Sequence, residues 1–162
     1  MKNLKEICTL GILTALYVVV GFSCKIPLVG HIATDLGYVV FAIALYNFGI
    51  AGAAVGVIGC FLESYLLQGW IPYGWIAGQL LIGICCGLVY KKVDNKVLQI
   101  IATIVAMFVG IGLIKTLIEC GLFGIPFEVK IVKNSIAFVA DLVPMLIGLV
   151  VSWKMNKKKD LA

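Results

Sequence analysis

The chain contains no arginine, one histidine, and charged residues at only 13% of its 162 positions. Each shortage excludes something. An ordinary soluble domain carries about 25% charged residues, and a water-soluble fold of this size has no way to hide a composition that is 62% apolar. A single histidine, His31, rules out histidine-based metal centres and two-histidine mechanisms. Without arginine the chain lacks the usual bidentate clamp for carboxylates and phosphates. Its lysines are divided among short tails with no basic domain behind them, so nucleic acid is not an expected partner. No GxSxG, HExxH or GxxxxGK[ST] run occurs, so the chain offers no means of hydrolysing ATP and reads as a non-enzyme without metal or cofactor. The six cysteines show no CxxC pairing and lie in or beside apolar runs, as small packing residues do.

What is present is hydrocarbon. Mean hydropathy is +1.12, and the apolar runs exceed the roughly 20 residues that cross a bilayer core of about 30 Å. The expected fold is an all-α integral membrane protein, a single domain over 1–162 in the cell membrane. Residues 1–24 imitate a secretory signal, but Gly21 stands where a lipoprotein cleavage site before Cys24 needs an aliphatic residue, so they read as a retained first helix. Six transmembrane helices are predicted, at about 6–22, 35–48, 51–67, 73–90, 97–120 and 128–153. The stretch 36–68 carries only Glu63 as a charge. As one helix it would be about 48 Å long, so it is split at the turn Asn47-Phe48-Gly49. Gly52, Gly56 and Gly59 recur beyond that turn, where small residues let backbones approach.

Six crossings put both termini on one side, with Lys2, Lys5, Lys91, Lys92, Lys96, Lys154, Lys157, Lys158 and Lys159. Lys25, Lys130 and Lys133 lie near the opposite surface. The positive-inside rule then makes the termini cytoplasmic. No internal repeat supports an inverted-repeat transporter.

The outer loops, at roughly 23–34, 68–74 and 121–128, hold nearly all the unusual chemistry. Trp70, Tyr73 and Trp75 bracket Pro72, and they suit either stacking on a flat heteroaromatic ligand or an aromatic belt at the headgroups. Asp35 and Phe127, at loop ends, join the candidate set with Glu128. Ionisable groups inside spans cost about 2.5–3.5 kcal/mol each on insertion scales, which singles out Glu63, Lys115, Glu119 and Asp141. Lys115 and Glu119 are spaced to pair on one helix. Asp141 has no local partner and requires a pocket or a cross-helix contact. Gln79 and Asn134 serve either a ligand edge or helix–helix adhesion.

With Gly69-Trp70-Ile71-Pro72-Tyr73-Gly74-Trp75, then Gln79 and Gly83, and a small-residue face on helix 1, the chain resembles the substrate-binding S component of energy-coupling factor (ECF) transporters. The family's Ala-x-x-x-Ala contact for the coupling subunit corresponds here to Gly11 and Ala15, a departure that keeps a flat face. The resemblance implies capture of a micronutrient at the outer face, partnership with a transmembrane coupling subunit and two cytoplasmic ATPases, and ATP-driven reorientation. Carboxylates at Glu63, Glu119, Glu128 and Asp141 favour a ligand with donors or positive charge. Thiamine-like, riboflavin-like and deazaguanine compounds all meet that description. The queuosine/queuine type is preferred, because a carboxylate matches its amino-imino edge, while Lys115 stays available for a carboxylate ligand such as biotin. A different class, a stand-alone membrane transporter or a structural membrane subunit, is the alternative.

Overall fold

A computed structural model of the chain describes residues 2–24, 26–27 and 33–159. Lys25 and His31, assigned above to the first outer loop, lie outside the described residues. The elements are α1 (Lys2–Ser23), β1 (Ile26–Pro27), β2 (Ala33–Thr34), α2 (Gly37–Phe48), α3 (Ala53–Gln68), α4 (Tyr73–Lys92), α5 (Lys96–Met107), α6 (Thr116–Phe123) and α7 (Phe127–Lys159). The helical expectation holds with one departure: β1 and β2 pair antiparallel, Ile26 opposite Thr34, as a two-residue ribbon between α1 and α2.

The 36–68 stretch does break where the turn was expected. Gly49 takes φ +62°, open to a residue without Cβ, and a 3-10 turn over Gly49–Gly52 sends the chain back on itself. A methyl group added at Gly52 would lie 2.6 Å from the Ala44 backbone, and one at Gly56 would strike the Phe41 ring. The two limbs therefore run side by side, which the small residues permit. Their far ends meet α1: a methyl group at Gly21 would be 2.9 Å from both Asp35 Oδ1 and Glu63 Oε2.

Among the described residues five stretches are long and apolar enough to cross a membrane, where six were expected: Leu4–Ser23, Gly37–Leu67, Tyr73–Lys92, Lys96–Phe123 and Phe127–Asn156. The difference lies wholly in the hairpin. At 1.5 Å per residue α2 is about 18 Å long and α3 about 24 Å, each short of the hydrocarbon thickness on its own.

The core is formed by Tyr17, Tyr38, Phe41, Leu45, Ile82, Met107, Ile111, Met145 and Leu149, all fully buried. Leu16, Val19, Ile101, Val132, Val139 and Val143 face outward, the inverse of a soluble fold and the surface that lipid requires. At the end of the bundle formed by the 49–52 turn, α4's C-terminus and α5's N-terminus, no buried side-chain polar atom among the described residues lacks a hydrogen bond. Asn95 Oδ1 caps α5 through Val97 N–H at 2.9 Å. Gln99 Nε2 donates to Val93 O, Trp153 Nε1 donates to Gln99 Oε1, each at 2.6 Å, and the Tyr90 and Thr103 hydroxyls bond at 2.6 Å. Lys91 Nζ donates to Asn47 O at 2.7 Å, tying α4 to the hairpin.

Candidate functional site

At the other end of the bundle, where α1, α3 and α6 finish and α2, α4 and α7 begin, a cavity of about 300 Å³ enters between the helices. Its lining divides into two sides. One side carries Tyr17, Asp35, Tyr38, Glu63 and Asp141; the other carries Trp75, Lys115, Glu119, Lys130 and Asn134. Trp70, Phe123 and Gln79 also line it.

On the carboxylate side, Asp35 folds its own backbone, accepting at Oδ1 from Gly37 N–H at 2.7 Å as a short acidic residue does in a turn. Its Oδ2 accepts from the Tyr17 hydroxyl at 3.3 Å. The Asp35 N–H donates to Asp141 Oδ1 at 3.0 Å, joining the start of α2 to the middle of α7. Asp141 is only 2% exposed, so the buried contact required by the sequence exists.

On the lysine side, Lys115 Nζ donates to Asn134 Oδ1 at 2.6 Å, lies 3.8 Å from Glu119 Oε1, and sits 3.7 Å from the centre of the Trp75 ring. Asn134 Nδ2 donates to Thr116 Oγ1 at 2.9 Å and to Glu119 Oε2 at 3.4 Å, while Lys130 Nζ donates to the same Glu119 Oε2 at 2.9 Å. The expected pairing of Lys115 with Glu119 is thus one long edge of a larger network in which hydrogen bonds satisfy the buried charges.

A local irregularity aims these groups inward. Between α5 and α6 the helix continues as a π segment, Phe108–Lys115. At 100° per residue, an unbroken α-helix would carry the buried face of Gln99, Thr103 and Met107 on to Ile114 and Leu117. Instead Leu117 is 58% exposed, and Lys115, Thr116 and Glu119 are buried. The wider π turn absorbs the register difference. Gly110 sits at its start, where α4 approaches so closely that a methyl group at Gly78 would be 2.8 Å from Gly110 O.

Nine predicted site residues line the cavity: Asp35, Glu63, Trp70, Trp75, Gln79, Lys115, Glu119, Asn134 and Asp141. Three do not line it. Tyr73 opens α4 and points outward, 56% exposed, because Gly74 and Trp75 take the inward positions; a methyl group at Gly74 would meet Glu119 and Lys115. Phe127 and Glu128 form the first turn of α7, whose lining begins only at Lys130. The sequence reading missed Tyr17, Tyr38, Phe123, Lys130 and Lys133 among the lining residues. The spacing Lys130, Asn134, Ala137, Asp141 marks one helix face and would have recovered Lys130. Gly11 and Ala15 lie exposed on α1, and a methyl group at Gly11 would meet nothing within 4 Å. Among the described residues no group of three or more His, Cys, Asp or Glu is placed to hold a metal ion.

Residues 1–158 match the sequence family described as ECF-type riboflavin transporter, S component. A UPF0397 protein of Streptococcus thermophilus (strain ATCC BAA-491 / LMD-9) is 27% identical over 160 residues, covering 91% of this chain and 88% of that protein. A UPF0397 protein of Lactococcus lactis subsp. cremoris (strain NZ9000) is 33% identical over 96 residues, 57% of this chain and 53% of that one. Among solved structures, the S-component for biotin from an ECF-type ABC transporter superimposes with a TM-score of 0.67 over 96% of this chain and 93% of that chain, at 15% identity. That last likeness is one of fold.

Proposed function

The chain belongs to the ECF-type riboflavin transporter S component family, and from that premise we propose that it captures a small water-soluble heteroaromatic micronutrient for ATP-driven uptake. It is a multi-pass membrane protein of a transport family whose members bind substrate and work with an ECF module. The observation that carries the reading is the cavity itself. Trp70 and Trp75 flank a space of about 300 Å³ whose polar lining lies within apolar spans. At about 30 Å³ per water that is room for roughly ten waters, the lower end of ligand-pocket sizes, which suits a compact heterocycle stacked on indole. We favour a deazaguanine of the queuosine/queuine type, since carboxylates and the Gln79 amide match an amino-imino edge. Thiamine-like and riboflavin-like ligands are the nearest alternatives.

In this reading α2 and α3 each cross as a short helix, giving six crossings with both termini cytoplasmic and the cavity opening outward. The lysines support it. Lys91, Lys92, Lys96 and Lys154 gather at the end away from the cavity, as the positive-inside rule requires. The exposed Gly11 and Ala15 face of α1 is the surface offered to a transmembrane coupling subunit, with two cytoplasmic ATPases behind it. Native mass spectrometry of the protein purified from its own membranes should show a co-purifying small mass. Uptake of that compound should require the ATPase module, and uptake by the chain alone would instead favour a stand-alone transporter.

A further inference from the structure

The polar groups around the cavity are unequally occupied. On the lysine side Lys115, Asn134, Glu119 and Lys130 satisfy one another at 2.6–3.8 Å, so that without breaking that network an anionic ligand group would meet only the exposed ammonium of Lys133. On the carboxylate side Asp141 accepts one hydrogen bond, from Asp35 N–H, and takes part in no ion pair among the described residues. Two further polar atoms of the lining are unsatisfied. The Tyr38 hydroxyl and Gln79 Oε1 line the cavity, each on a side chain 1% exposed, and neither has a hydrogen-bond partner among the described residues.

Buried polar groups in folded proteins are satisfied almost without exception, and a carboxylate deep in a span is costly when uncompensated. What fills the cavity must therefore bring donors, and preferably positive charge, to the side of Asp141. We infer that the ligand is a cation, presenting a protonated amine or amidinium seated on Asp141, with Tyr38 and Gln79 completing its hydrogen bonds. Lys115 is then a strut between α6 and α7 and not a receptor for an anion. The inference rests on the receptor reading above and narrows its substrate class. It excludes ligands recognised mainly through a carboxylate.

Three 7-deazaguanines that share a ring and differ in one substituent provide the probes: aminomethyl (a cation), cyano (neutral) and carboxyl (an anion). With thiamine and biotin as a second cation and anion, each is titrated calorimetrically into the full chain in detergent. A cationic probe should bind at least about 10-fold tighter than neutral or anionic ones, and Asp141→Asn should weaken it roughly 10- to 100-fold, the worth of one charge-assisted hydrogen bond. Asparagine keeps the oxygen that accepts from Asp35 N–H. Should that variant fail to fold, Tyr38→Phe decides, because it removes a hydroxyl that bonds nothing among the described residues and should still weaken the cation several-fold. Equal or tighter binding of an anionic or neutral probe, or indifference of the cation to both substitutions, overturns the inference while leaving the receptor standing. Failure of all five probes and of riboflavin to bind removes the receptor reading, and this inference with it.

Discussion

The two ends of the bundle are made of the same kinds of residue and use them oppositely. Away from the cavity, Gln99, Thr103, Tyr90, Trp153 and Lys91 bond to one another or to backbone, and glycines bring the 49–52 turn against α4. At the cavity, the Tyr38 hydroxyl and Gln79 Oε1 have no hydrogen-bond partner among the described residues, and Asp141 accepts from Asp35 N–H. Polar residues inside a membrane protein thus serve as adhesion where their partners are protein, and on the receptor reading proposed above those at the cavity serve recognition.

Packing at the closed end should give the largest effect. A Cβ at Gly52 would lie 2.6 Å from the Ala44 backbone, and one at Gly87 would lie 2.7 Å from Gly49 C; in both cases the obstruction is main chain, which cannot turn aside. Gly52→Val should therefore abolish recovery of folded protein, or lower its detergent melting temperature sharply, overpacking of this kind costing about 1–3 kcal/mol or more. A Gly52→Val protein that melts like the parent would show that the hairpin does not need its close approach.

Next in size is Lys115→Met. Removing the ammonium leaves Asn134 Oδ1 without its donor and Glu119 dependent on Lys130, and an unsatisfied buried polar group costs about 1–3 kcal/mol. Thermal stability should fall by that order. If Lys115 is a strut, the selectivity for cationic over anionic probes should persist in the variant. A switch in which probe binds best would move the recognition role back to the lysine side.

Much of this division could be read from the sequence, and the part that could not has physical causes. Hydropathy and breakers located every helix to within a few residues, including the 47–49 turn, because spans must be long, apolar and punctuated. Six of the candidate residues that line the cavity, Glu63, Gln79, Lys115, Glu119, Asn134 and Asp141, were legible for a related reason: a charge or amide inside a span is costly, so it is there to meet something. Composition is silent on direction. Tyr73 and Trp75 are two positions apart and look alike in a list of aromatics, yet helical rotation sends one outward and the other inward. Lys115 and Glu119 reach the interior only through a π segment that no periodicity in 96–123 announces. Tyr17 and Tyr38 looked like ordinary aromatics in apolar helices and gave no local signal.

The smallest predicted effects separate the two ends most cleanly. Trp153→Phe removes the donor to Gln99 Oε1 at the closed end, and side-chain hydrogen bonds between membrane helices are worth about 0.6 kcal/mol on average and about 1.7 at most. The melting temperature should drop slightly, and affinity for a cationic probe should stay within about twofold, since Trp153 does not line the cavity. At the open end the pattern should reverse: Trp70→Ala should weaken the probe several-fold at little cost to stability, its ring being 40% exposed and edge-on to Phe123. Tyr73→Ala, three residues along but pointing outward, should leave affinity unchanged. If Tyr73→Ala weakens binding as much as Trp70→Ala does, both aromatics act together at the mouth, and the boundary of the site moves outward to include the first turn of α4.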